Sequence, residues 1–172
     1  MHMIILGIGS NLSSKFGNRF KNINLAISYL KKDKINIIKK SNFFETPSYP
    51  NNKNPKFINV VIAIKANITK VKLASTIIKI ERKLQRKRIQ KNDPRTCDID
   101  IIDFNGISTD FKYKNLNFTV PHKNLIYRNF VLYPLREILP LWKHPVSRIP
   151  VNALIGKLSS NDKKSILKVK KY

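Results

Sequence analysis

A single cysteine, Cys97, stands in the 172 residues. No intramolecular disulfide can form, which fits a reducing compartment and a cytoplasmic location. No Cys/His set has the spacing of a zinc site. No apolar run reaches the ~18 residues that a membrane span needs. The opening MHMIILGIGS has one short apolar run and no basic stretch, so no signal peptide is expected. The absence of G-x-x-x-x-G-K-[ST] excludes a P-loop enzyme. Gly7-Ile8-Gly9-Ser10-Asn11 begins like a dinucleotide fingerprint but lacks the third glycine. The scarcest class is acid: Asp+Glu number 10 against 34 Lys+Arg, for a formal net charge of +24.

Such a charge points toward polyanions, but its make-up points elsewhere. The chain has 26 Lys and 8 Arg, with 25 Ile and 19 Asn. Lys, Asn and Ile share A/T-rich codons, and the lysines are dispersed along the whole chain. Compositional bias accounts for that pattern, and no specific nucleic acid is expected as a partner. The few acids then become the informative residues. A hydrophobic content of 42% excludes simple disorder. The length suggests one domain, 1–172, able to bury roughly 70% of its unfolded surface.

Hydrophobic periodicity predicts strands at Met3–Gly9, Ile35–Phe44, Phe57–Ala66 and Cys97–Phe104. Phe20, Ile23, Ala26, Ile27 and Leu30 follow helical spacing behind a cap at Asn18 or a neighbour. Val71, Leu73, Ala74, Ile77, Ile78, Glu81 and Leu84 do the same behind Asn67-Ile68-Thr69. Residues 46–55, rich in Pro and Asn, read as a loop, and Asn105-Gly106 as a turn. Later helices are expected at Leu125–Leu132 and Pro134–Ile138, and the lysine-rich tail from about Ser159 to Tyr172 is expected to fray. The order βαββαβ is the α+β, ferredoxin-like pattern: an antiparallel sheet with helices on one face, here with C-terminal additions.

The strongest local signal is Asp98-Ile99-Asp100. Residues two apart on a strand share a face, so both carboxylates project together. Adjacent carboxylates repel unless a cation neutralises them. Mg²⁺ suits one or two carboxylates plus substrate phosphates; a solvated strand face is the plain alternative. The setting favours chemistry. Half of the eight arginines fall at Arg82, Arg86, Arg88 and Arg95, and the guanidinium fork suits phosphate oxygens. Carboxylates for metal beside arginines for phosphate are what phosphoryl transfer requires. A second cluster, Thr119-Val120-Pro121-His122 with Arg128-Asn129-Phe130, offers further phosphate donors in His122 and Arg128. Cys97 falls on the core-facing side of its strand and is a poor nucleophile candidate.

Taken together, the segments Gly9-Ser10-Asn11-Leu12, Phe44-x-Thr46-Pro47, Phe57-Ile58-Asn59, Ile80-Glu81 with Arg86 and Arg88, Pro94-Arg95-Thr96-Cys97-Asp98-Ile99-Asp100, Val120-Pro121-His122 and Arg128-x-Phe130-Val131-Leu132-x-Pro134-Leu135 resemble the 6-hydroxymethyl-7,8-dihydropterin pyrophosphokinases of folate biosynthesis. The resemblance covers about residues 3–140. It implies transfer of pyrophosphate from ATP to the pterin hydroxymethyl group, with release of AMP. It implies that Asp98 and Asp100 bind two Mg²⁺ ions, and that Arg86 and Arg95 close over the triphosphate. His122 and Arg128 would contact ATP phosphates, and Arg88, Glu81 and Thr119 would line the nucleotide site. Phe57 and Phe130 would sandwich the pterin, with Thr46, Pro47 and Asn59 at its edge. The partners implied are small molecules, and the protein is expected to be a monomer.

The chain departs from the family pattern in four places. Asn92 stands where the basic loop often has tryptophan, and Asp93 where glycine is usual. The loop is about one residue shorter, and Phe57 replaces a common tyrosine. An RNA-recognition domain shares the βαββαβ order, but Phe57-Ile58-Asn59-Val60-Val61-Ile62 lacks its aromatic signature. A two-metal nuclease would use the same acids but leaves Thr46-Pro47 and the Phe57/Phe130 pair without a role.

Overall fold

The first apolar run forms strand β1 (Ile4–Ser10), the inner strand from which the site is built. The computed structural model describes residues 3–49, 52–87 and 93–170. Helix α1 (Arg19–Lys32) starts where the Asn18 side chain accepts the Lys21 N–H. The expected strand 35–44 divides into β2 (Asn36–Lys40) and β3 (Phe44–Thr46). Ser41 marks the break: its N–H donates to the Val61 carbonyl, while its hydroxyl accepts the Val61 N–H. A side chain takes over one rung of the ladder, and the strand cannot continue straight through it. Both halves pair antiparallel with the long strand β4 (Phe57–Lys65). Helix α2 (Lys70–Lys83), capped by Thr69, leads to the basic loop and then to β5 (Asp98–Phe104). The neighbours run β5–β1–β4–β3, all antiparallel, and the ferredoxin-like expectation holds.

Alternation along the strands makes two cores. Ile4, Leu6 and Ile8, with Ile58, Val60 and Ile62, face α1 and α2. Ile5, Val61, Ala63 and Ile102 face the other way and are covered by the C-terminal additions. These begin with a 3-10 turn at Leu125–Tyr127, followed by α3 (Asn129–Ile138) and α4 (Val151–Gly156). The two helices expected at 125–132 and 134–138 are therefore a turn and one helix running through Pro134. That proline is buried, so its packing outweighs the backbone bond it cannot donate.

Two elements lie outside the sequence expectations. After Asn105-Gly106 the chain forms a hairpin of β6 (Thr109–Tyr113) and β7 (Leu116–Val120), with Phe111 stacked on Phe118 at 5.0 Å. The tail expected to fray is instead anchored. Ser159 caps α5 (Ser160–Lys164), and β8 (Leu167–Lys168) pairs with β3. Lys168 pairs with Glu137 at 3.3 Å, and Val169 donates to the Phe43 carbonyl. Among the described residues no helix is long and apolar enough to cross a membrane.

Candidate active site

The ends of β1, β4 and β5 meet in one row. Gly9 pairs with Asn59 on one side and with Asp98 on the other, and Gly7 with Val61 and Asp100. Partners directly opposite share a face, so Asn59, Asp98 and Asp100 all emerge on the side of the second core, at its open edge. A Cβ built on Gly9 would sit 3.0 Å from Asn59 Oδ1 and 3.5 Å from the Phe57 ring. Glycine leaves these two side chains room over the strand, and a Cβ would press on the Asn59 amide. Asn59 Nδ2 donates to Thr46 Oγ1 at 3.0 Å, joining two of the expected pterin-edge residues. Pro47 follows on the surface of the loop.

The acids are met by arginines. Arg86 Nη1 lies 2.6 Å from Asp98 Oδ1, and Arg95 Nη1 lies 2.9 Å from Asp98 Oδ2. Arg128 Nη1 lies 2.8 Å from Asp100 Oδ2. The same guanidiniums cover the aromatic rings, Arg95 over Phe57 at 5.5 Å and Arg128 over Phe130 at 5.4 Å. The site thus holds two parallel chains, Phe57–Arg95–Asp98 and Phe130–Arg128–Asp100. Glu81, expected to line the nucleotide site, is only 2% exposed and turned inward. Its Oε1 accepts from Arg86 and from the Ile99 N–H of β5. Burial alone works against the charge on Arg86, but Asp98 and Glu81 outweigh it and raise its pKa above the ordinary value.

Sequence reasoning gave Asn11 no role, yet it ties the site's loops together. Its Oδ1 accepts the Arg95 N–H at 2.6 Å, and its own N–H donates to the Arg95 carbonyl. Its Nδ2 donates to Ser48 Oγ and to the Pro55 carbonyl. One buried amide therefore fastens the end of β1 to both the Pro-containing loop and the basic loop. The available signal was a polar residue directly after a buried strand, in a motif already quoted. Arg88 and Asn92 lie outside the described residues. Thr119 is exposed on β7, opposite Asp110 and three residues before His122. Burial drives the Cys97 thiol well above its ordinary pKa, so it is no nucleophile.

His122 follows the cis Val120–Pro121 peptide. Its Nδ1 accepts the Asn124 N–H at 3.1 Å, which leaves the proton of the neutral ring on Nε2. Burial lowers its pKa; Arg128 adds to that, while Asp100 opposes it. The sign of the consequence follows by linkage. A histidine depressed in the folded state takes its proton more readily when unfolded, so stability is full above about pH 6.5 and falls below it. Urea midpoints are expected to drop between pH 7.5 and 5.5. The drop should be smaller in His122→Gln, and an unchanged pH slope in that variant would rule the assignment out.

The profile of the 7,8-dihydro-6-hydroxymethylpterin-pyrophosphokinase family matches residues 5–140. The chain belongs to this family. An Aquifex aeolicus relative named 2-amino-4-hydroxy-6-hydroxymethyldihydropteridine pyrophosphokinase is 30% identical over 151 residues, covering 88% of this chain and 89% of that protein. A Synechocystis relative of the same name is 38% identical over 101 residues, 59% of this chain and 50% of that one. The chain thus spans about half of some relatives in this pyrophosphokinase family. The crystal structure of Plasmodium falciparum HPPK-DHPS wild type shares the fold, with a TM-score of 0.69 over 91% of this chain and 44% of that one, at 16% identity.

Proposed function

We propose that the chain transfers pyrophosphate from ATP to the hydroxymethyl group of 6-hydroxymethyl-7,8-dihydropterin, releasing AMP, within folate synthesis. The observation that carries the reading is the pair of strand-borne carboxylates, each held by an arginine that also covers an aromatic ring. All three kinds of group have work in this reaction. The flat pterin takes the faces of Phe57 and Phe130 in place of the guanidiniums, and Thr46 and Asn59 meet its polar edge. Arg86, Arg95, Arg128 and His122 Nε2–H turn to the triphosphate. The buried Arg95 Nε has no acceptor among the described residues. A phosphate oxygen would satisfy it.

The acids fit Mg²⁺. Among the described residues no group of three or more His, Cys, Asp or Glu gathers. Two carboxylates with substrate oxygens suffice for Mg²⁺, whereas a zinc site asks for three or four protein ligands. Asp98 and Asp100 would hold the metal, two ions on the family pattern, which supplies charge neutralisation at the phosphates when bound. The chain's own residues orient the hydroxyl and the β-phosphorus and neutralise the charge that builds up. The loops that Asn11 fastens exclude water, a competing acceptor. We take residues 1–172 as one domain acting as a monomer in the cytoplasm, in keeping with the lone cysteine.

One assay tests the reading. The protein is incubated with ATP, Mg²⁺ and 6-hydroxymethyl-7,8-dihydropterin, and the nucleotides are separated. AMP formed only when pterin is present is the expected result. ADP formed without pterin, or no turnover, rejects it.

A further inference from the structure

A second concave site lies at the far end of the strands that carry the acids. Ile5 and Asp103 pair there, whereas Gly9 and Asp98 pair at the active-site end. The cleft encloses about 510 Å³, and its walls include Ile5, Leu139 and Trp142. That volume falls within the range of small-molecule sites. Asp103, the carboxylate in its lining, is 6% exposed. Both its oxygens are engaged: Oδ1 accepts the Gly106 N–H at 2.8 Å, and Oδ2 accepts Trp142 Nε1–H at 3.0 Å. The acid therefore fixes the indole as a wall, and both its oxygens are engaged by neutral donors rather than by the cations of the cleft.

Three cations also line the cleft: Lys39, Lys143 and Arg148. Lys39 donates to the Ile138 carbonyl. Lys143 and Arg148 make no ion pair among the described residues, although acids and arginines pair closely elsewhere. The turn that carries them is built by hydrogen bonds. His144 donates to Ile149, Arg148 to His144 and Val151 to Trp142. Arg148 stands at φ +59, a left-handed conformation that strains a non-glycine residue. Backbone strain of this kind collects at functional sites.

We propose that this cleft binds an amphipathic organic anion, with an aromatic body against Trp142 and a carboxylate, sulfonate or phosphate on Lys143 and Arg148. The proposal stands independently of the pyrophosphokinase reading. The apolar walls favour the body, and the unpaired cations favour the charge.

Trp142 is the only tryptophan in the chain, so its indole N–H gives a single resonance in a ¹⁵N-correlated NMR spectrum. Titration with 2-naphthoate is expected to shift that resonance saturably, and the uncharged 2-naphthalenemethanol to bind at least tenfold more weakly. The double variant Lys143→Gln/Arg148→Asn is expected to lose at least tenfold in affinity while keeping wild-type turnover and melting temperature; asparagine tolerates the left-handed backbone at 148. Naphthoate affinity is expected to be unchanged in Asp98→Ala and in the presence of MgATP. The site is overturned if no saturable shift appears up to ~10 mM, a concentration that catches even millimolar affinity. Equal binding of the alcohol, or full affinity in the double variant, overturns the anion assignment and marks the cleft as an apolar contact surface. Displacement by MgATP overturns its independence from the active site.

Discussion

Replacing Asp98 or Asp100 by alanine is expected to lower the rate of AMP formation at least about 100-fold, by the scale of losing one preorganised stabiliser of developing charge. The effect at Asp98 has two sources. Under the proposed reading its carboxylate holds a metal ion against the phosphates. It also gathers Arg86 and Arg95, at 2.6 and 2.9 Å, so their positions loosen together with the proposed metal site. Among the described residues Asp100 pairs only with Arg128, so its variant separates the two sources more cleanly. Asp98→Asn and Asp100→Asn keep the size but halve the charge available to a cation, and asparagine offers one acceptor oxygen where Asp98 uses two; they too should be slow. Titration of the residual rate against Mg²⁺ checks the cause. A variant that has lost a metal ligand needs more Mg²⁺ to reach its plateau, whereas one that has lost only arginine positioning does not. Near wild-type rates in both alanine variants would remove the metal assignment. Asp110→Ala, on the exposed hairpin, serves as the control.

Much of this arrangement was legible in the sequence, for a physical reason. Period-two alternation through Asp98-Ile99-Asp100 puts two acids on one face whatever the neighbouring strands do, and the structure places Ile99 in the first core as required. The arginines near the acids in sequence were readable as phosphate groups' partners; that Arg86 and Arg95 also pair with Asp98 was not. The opening excess of charge resolves in the same way: arginines engage the site, and many of the lysines sit exposed on the surface. What could not be read depends on contacts between distant segments. Nothing local marks Ser41 as a break in a β-branched run; its hydroxyl matters because Val61 lies opposite. The tail is polar and basic, and its order comes from the open edge of β3 and from Glu137. Asn11 looks like an ordinary turn residue until two loops converge on its amide. Glu81 is the instructive case: the resemblance places it at the nucleotide, and the fold buries it between Arg86 and the Ile99 N–H.

Glu81→Ala is expected to cost about 3–5 kcal/mol of folding stability, the scale of breaking a buried ion pair from one side. Glu81 and Arg86 are both nearly sealed from water, with side chains 2% and 8% exposed. Alanine at 81 takes a carboxylate away from the guanidinium and leaves the Ile99 N–H, on the strand between Asp98 and Asp100, without its acceptor. Orphaned buried donors keep their full desolvation penalty. For a chain of this length such a loss corresponds to a melting temperature lower by roughly 6–20 °C. Glu81→Gln keeps a carbonyl oxygen for the Ile99 N–H and should recover part of that loss, while leaving Arg86 less firmly held. The kinetic signature differs from that of a nucleotide contact. If Glu81 positions Arg86, and Arg86 works on the transferring phosphates as proposed, the Gln variant shows a lower kcat with little change in the KM for ATP. If Glu81 instead touches the nucleotide, stability barely moves and the KM for ATP rises. Thermal melts of the two variants, run beside initial rates at varied ATP, distinguish the cases, and a stable Glu81→Ala protein with a raised KM would overturn the positioning role.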